Sequence, residues 1–119
     1  MSLLAELNMI LMLLNLPVET GIFSGAAPDV YVVITPLSDT FALHADNLPR
    51  MEVQEARVSL FSKSNYTEKA REIIYALLAA RFLLTERKYN GYDDSTGYHN
   101  YSIDVAKEYA VVINLTERG

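Results

Sequence analysis

The chain has no cysteine and no tryptophan, and only two histidines and five glycines among 119 residues. Without cysteine, thiol catalysis, thiolate metal sites and disulfides are excluded. His44 and His99 lie on different connections, neither with an i,i+4 partner, so no local zinc spacing exists. The glycines are scattered, and none opens a helix in a P-loop or Rossmann spacing. No serine sits in a G-x-S-x-G elbow; Ser24-Gly25 lacks the rest of that pattern. Basic residues are scarce: ten Lys and Arg against fifteen Asp and Glu leave a net charge of −5. That balance argues against a surface built mainly to grip DNA or an anionic membrane by charge. A long apolar run is missing too. Leu3 to Leu16 is rich in Leu, Ile and Met but carries Glu6, Asn8 and Asn15, and it falls short of the about 20 residues a spanning helix needs. No Lys or Arg precedes it, as one would in a signal peptide. The expectation is a helix, amphipathic or nearly apolar all round, ended by Pro17 and covered by the domain's own sheet and a neighbouring subunit.

Half of the sequence is apolar, enough for one domain spanning residues 1–119 with a core that needs no staples. Val18 to Pro28 reads as a loop, with Gly21, Gly25 and Pro28 as breakers. VYVVIT, Val30 to Thr35, is a β-branched run between prolines and predicts a short buried strand. Leu37 to Arg50 reads as a long connection with a short strand around Phe41 to Leu43. Met51 to Phe61 predicts a strand whose apolar phase slips near Gln54 and Glu55, as a β-bulge or a face change would cause. Asn65 followed by Glu68 is a capping-box pattern. It precedes Tyr66, Ala70, Ile73, Ile74, Leu77 and Leu78 at helical spacing. A strand centred on Leu84 to Tyr89 follows, then the turn-rich loop NGYDDSTG, Asn90 to Gly97. Tyr98 to Asn114 alternates as a long final strand, with Lys107 breaking the pattern; helix over Asp104 to Val112 is the alternative. The order α-β-β-α-β-β predicts an α+β domain: about four mainly antiparallel strands with two helices on one face.

Candidate chemistry is sparse. Asp93, Asp94 and His99 could hold a metal only if their loop folded back on itself; adjacent carboxylates in a turn are ordinarily just solvated. No catalytic residue, metal ligand or cofactor site is assigned. Lys63, Lys69, Arg71, Arg81, Arg87 and Lys88 flank the second helix, but acids interleave with them, as on a solvated helix face. The eight tyrosines are more suggestive. Tyr89, Tyr92, Tyr98 and Tyr101 bracket the Asn90–Asn100 segment, and tyrosine joins an apolar ring to a polar tip, which suits protein interfaces. Stacking across the hairpin's own two strands is the competing reading. The candidate partner-interface residues are Tyr89, Tyr92, Asp93, Asp94, Tyr98, His99 and Tyr101, in a mobile contact loop over Asn90 to Asn100. Leu37 to Arg50 is a second candidate contact.

The stretch VYVVITPLSDTFALHADNLPRMEVQEARVSLFSKSNY, the amphipathic helix after it, and RKYNGYDDSTGYHNYSIDVAKEY together resemble small proteins of the head–tail gene cluster of phages and prophages of Gram-positive bacteria. These are similar to the tail terminator or tail-to-head joining family of long-tailed phages. The resemblance covers roughly residues 28 to 110 and rests on the order of elements and these phrases, not on an active-site signature. It implies an α+β subunit that forms a homo-oligomeric ring, commonly a hexamer, which caps the tail tube protein and docks the head connector. It further implies a place at the head–tail junction of the virion after assembly in the bacterial cytoplasm, no catalysis and no cofactor. No specific nucleic-acid binding is implied; DNA passes through the ring, and an acidic collar suits that passage. The alternatives are another phage head-completion or adaptor protein, or a small metal-dependent hydrolase.

Overall fold

The computed structural model describes residues 2–20, 27–45 and 48–111. The first helix, α1, runs Leu3–Leu13. The side chain of Ser2 accepts a hydrogen bond from Ala5 N, satisfying one of the donors a helix start leaves open. Leu3, Leu7 and Leu11 form its buried stripe. The helix ends in a Schellman turn. Asn15 takes φ 60°, and the amides of Asn15 and Leu16 return to the carbonyls of Met12 and Leu11. Pro17 then prevents any resumption of helix.

Five strands follow, interrupted by one helix: β1 Val18–Thr20, β2 Val30–Ala45, β3 Leu48–Ser62, α2 Thr67–Ala79, β4 Leu83–Asp93 and β5 Tyr98–Ala110. The sheet order is β1-β2-β3-β5-β4. Only β1 is parallel to its neighbour; the other pairs are antiparallel. The class is α+β, as the sequence pattern predicts, with corrections. The strand count is five rather than four, because a three-residue strand lies within Val18 to Pro28. Residues 21–26 of that segment lie outside the described residues, as do residues 112–114 of the expected final strand, which is a strand and not a helix over the described part of Asp104–Val112.

The largest correction concerns Leu37 to Arg50. Most of it is not a connection: β2 continues through it to Ala45 and β3 begins at Leu48. Its Ser, Asp and Pro residues are tolerated because this part of β2 is a sheet margin. Thr35 to Phe41 are all exposed. The expected bulge in β3 is displaced as well. β3 pairs with β5 in unbroken register from Met51 to Ser62, and the shifts fall on β2, between Pro36 and Ser38 and between Phe41 and Leu43. The phase slip in β3 has another cause. Gln54 lies on the helix-facing side, where its side-chain oxygen accepts from Leu3 N at 2.9 Å, so a polar residue is matched to an open helix terminus.

The core occupies one face of the sheet. Val32, Ile34, Ala56, Val58, Leu60, Ile103 and Val105 supply the sheet side, and the buried stripes of α1 and α2 cover it. Alternation along each strand puts these residues on one side. α2 ends as α1 does: Arg81 takes φ 68°, and Phe82 N bonds the Leu77 carbonyl, seating Phe82 in the core. The Asn65 cap differs from the expected box. Its Oδ1 accepts from Thr67 N, while the residue flanking the helix start is Tyr66, which makes no side-chain cap.

Lys107, the break in the alternation of β5, has a partner on the covered face. Its Nζ donates to Glu6 Oε2 and to the Ala80 carbonyl, each at 2.9 Å, and lies 4.7 Å from the centre of the Phe82 ring. Tyr109 Oη donates to Glu6 Oε1 at 2.6 Å. The molecule measures 57 × 27 × 24 Å; the long β2–β3 hairpin extends the sheet along the long axis.

Candidate interaction surface

The tyrosine-rich segment, expected as a loop from Asn90, is mostly a β-hairpin. β4 runs to Asp93 and β5 starts at Tyr98, leaving a turn over residues 94–97. Asp93 Oδ1 accepts from both the amide and the hydroxyl of Ser95, at 2.9 and 2.7 Å. The Ser95 hydroxyl is the main reason its carboxyl titrates below the usual range, despite full exposure. Gly97 closes the turn with φ +83°, a conformation natural to glycine, and its amide donates to the Asp93 carbonyl at 2.7 Å. Gly91, at φ +117°, sits where β4 shifts register between Tyr89 and Gly91. Asn90 bridges the strands by donating to Asn100 Oδ1 and Ser102 Oγ.

Alternation divides the candidate residues between two faces. Tyr89 pairs with Tyr101 and Tyr92 with His99, on the same side as the helices. There Tyr66 stacks on Tyr89, with ring centres 5.0 Å apart, and on Tyr101 at 5.5 Å. Tyr89 Oη lies 2.9 Å from His99 Nδ1, and the Tyr92 ring is 4.8 Å from that of His99. Tyr98 lies on the other side. It meets Tyr31 and Phe61 edge-on, and its hydroxyl donates to the Pro28 carbonyl at 2.5 Å. Burial, with Tyr98 second, raises the Tyr31 hydroxyl above its ordinary titration. Asp94 lies in the turn. Cross-strand stacking is thus part of how this hairpin is built. His99 faces Tyr89 and Asp93 faces Ser95; among the described residues no three of His, Asp and Glu gather as metal ligands do. His44 lies in β2, at the far end of the sheet.

Sequence reasoning named some residues next to this cluster singly, Tyr101 in the hairpin and Arg71 and Arg87 beside the second helix, but did not bring them together. Tyr66, Thr67, Ala70, Arg71 and Tyr75 on the α2 side, with Arg87 and Tyr101 on the sheet side, line a groove of about 310 Å³. Among the described residues neither Arg71 nor Arg87 has an ion pair. The available signal was the i,i+4 spacing of Arg71 and Tyr75 on the outer side of a helix otherwise read as a solvated face.

On the opposite face, Arg57 clamps Asp104 with two hydrogen bonds of 2.8 and 3.1 Å. The bond to Asp104 keeps the guanidinium more firmly protonated than usual. Two further surfaces are exposed and apolar. One is the outer side of α1, with Met9, Met12 and Leu13. The other is the hairpin arm, with Leu37 and Phe41. No helix among the described residues is long and apolar enough to cross a membrane. No protein-family model matches the chain, and no curated protein matches it.

Proposed function

We propose that the chain is a structural subunit of phage assembly, a tail-terminator-like or head–tail joining protein that works as a ring. The observation that supports this most is the β2–β3 arm. Its outer strand, β2, carries Leu37 and Phe41 exposed at the margin of the sheet. Past the Thr20–Ile34 pair β2 has no described strand on its outer side, and an open edge carrying exposed apolar residues suits contact with another subunit. The exposed side of α1 adds a second apolar surface for a neighbour. The resemblance of residues 28–110 to head–tail proteins gives the assembly its identity. Head-to-tail contacts that close by rotation make rings, and a net charge of −5 reduces adhesion to DNA passing through one.

Electron microscopy of the purified protein tests the ring directly, with annular particles expected. The matching genetic test deletes the gene from the phage or prophage that encodes it. Filled heads and unjoined tails are the expected products; joined, infectious virions would overturn the reading.

A further inference from the structure

We propose that the edge of β4 and the groove beside it receive an extended acidic segment of another protein. The segment adds to the sheet as a further strand and sets a carboxylate against Arg71 and Arg87. This contact goes beyond ring formation and does not depend on it.

Among the described residues β4 has a neighbour on one side only, β5. Register tells which backbone groups it leaves open. Val111 N bonds the Arg50 carbonyl, so odd-numbered residues of β5 bond toward β3 along its unbroken register. Even-numbered ones then bond toward β4. Ser102 and Asp104 thus take Lys88 and Glu86 as hydrogen-bonded partners. Arg87 and Tyr89 alternate with these and turn their N–H and C=O groups outward. Both carry their side chains on the helix side, opposite Ile103 and Tyr101. The open side here is a recess of about 470 Å³ lined by Leu84, Thr85, Glu86, Arg87 and Tyr101. It meets the α2–β4 groove at Arg87 and Tyr101. The register shifts between Leu84 and Glu86 and between Tyr89 and Gly91 confine straight pairing to Glu86–Tyr89. Pairing so short needs side chains to add selectivity.

The groove states what those side chains are. Acids outnumber bases fifteen to ten in this chain, yet among the described residues none pairs with Arg71 or Arg87. The two come from different elements and line one groove. A residue set opposite Arg87 in an added strand holds its side chain on the helix side, over that groove. A carboxylate there meets the guanidinium fork of an arginine in the geometry that suits both. A second copy of β4 does not supply it. The helix-side residues of β4 are Leu84, Arg87, Tyr89 and Tyr92, none of them acidic, so β4 laid against β4 with the helices on one side leaves both arginines unanswered. A nucleic acid suits the site less well. It brings a charge at every phosphate to a chain of net −5, and Tyr66 already spends its faces on Tyr89 and Tyr101.

The test uses the whole chain and a capped peptide, Thr-Val-Thr-Glu-Thr-Val-Thr, whose glutamate shares a face with its valines in either strand direction. Amide hydrogen exchange followed by NMR reads the contact. Millimolar peptide is expected to slow exchange at the outward amides of Arg87 and Tyr89 at least about fivefold. Replacing the peptide's glutamate by glutamine should weaken binding at least about tenfold, as should Arg71→Gln with Arg87→Gln. The glutamine peptide should bind the parent and the double variant alike, to within about twofold. N-methylation of the three central peptide amides keeps the charge, removes the strand's donors and should abolish binding. Both arginines are exposed, and circular dichroism checks that the variant is folded; the exchange measurement on the parent chain needs no variant. No protection at Arg87 and Tyr89 overturns the proposal. Binding that survives N-methylation makes the groove an anion site alone, which overturns strand addition. Protection of the same amides that grows with chain concentration in the absence of peptide makes the occupant a second copy and overturns the assignment to another protein. The ring reading is decided apart from all of these, by microscopy of the chain without peptide.

Discussion

At the residue scale, Glu6 and Lys107 show how a charge is kept on a covered face. Burial raises the Glu6 carboxyl, but hydrogen bonds from Lys107 and Tyr109 outweigh it and leave it below its ordinary value. Burial and the adjacent Glu6 carboxylate raise the Tyr109 hydroxyl in turn. A carboxyl depressed on folding contributes stability above its unfolded pKa and loses that contribution as pH falls through its folded pKa. Glu6→Gln should therefore cost about 1–2 kcal/mol at pH 7 and nothing at a pH below the folded value, so the two unfolding curves converge in acid. Urea melts at several pH values measure this. Arg81 makes a different prediction. At φ 68° it holds the left-handed position of a helix end, where glycine is at ease. Arg81→Gly should raise stability by about 0.5–1 kcal/mol, read as a higher melting midpoint. Neither role was legible from local pattern. Lys107 looked like a defect in alternation because its partner lies in the first helix, and Arg81 carries no mark of its backbone angle.

At the element scale, the long hairpin is the unit to test. Replacing Phe41–Glu52 by Asn-Gly would close the hairpin at the Thr40–Val53 pair with a turn that suits two-residue loops. None of the core residues among the described side chains is removed, so calorimetry should show the melting midpoint shifted by only a few degrees, about 1 kcal/mol, while association is lost. Pro36 guards the margin of the same element. Val32 N bonds outward to the Pro17 carbonyl, so alternate residues of β2 direct their amides toward β1. Pro36 falls on that alternation just past the last β1 pair, Thr20–Ile34, and so withholds the next donor. A missing donor blunts an open edge; Pro36→Val should increase non-specific aggregation, measured by light scattering. The elements with strong period were readable: α2 from its spaced apolar residues, β5 from an alternation that Lys107 interrupts. β1 and the outer half of β2 were not. Three residues carry no period, and an exposed edge strand with Ser, Asp and Pro has the composition of a loop. The tyrosine cluster was legible as a cluster, but its division between two faces needed the register, and the Arg71–Arg87 pairing needed α2 to be placed against β4.

At the scale of the whole molecule, a net charge of −5 makes like-charged copies repel one another at low ionic strength. Salt shortens the reach of that repulsion to about 3 Å at 1 M ionic strength, so self-association should strengthen between 0.1 and 1 M sodium chloride while the fold keeps its melting midpoint. Sedimentation and circular dichroism on the same samples separate the two. The Glu6 anchor also has a consequence for the order of events during synthesis. Lys107 and Tyr109 follow Glu6 by 101 and 103 residues. A ribosome releases α1 long before it makes the strand that holds it, and contacts so distant in sequence form slowly. The helix can meet β3 earlier, through Leu3 N and Gln54, but a nascent or prematurely terminated chain ending before Lys107 lacks the polar latch that seats α1.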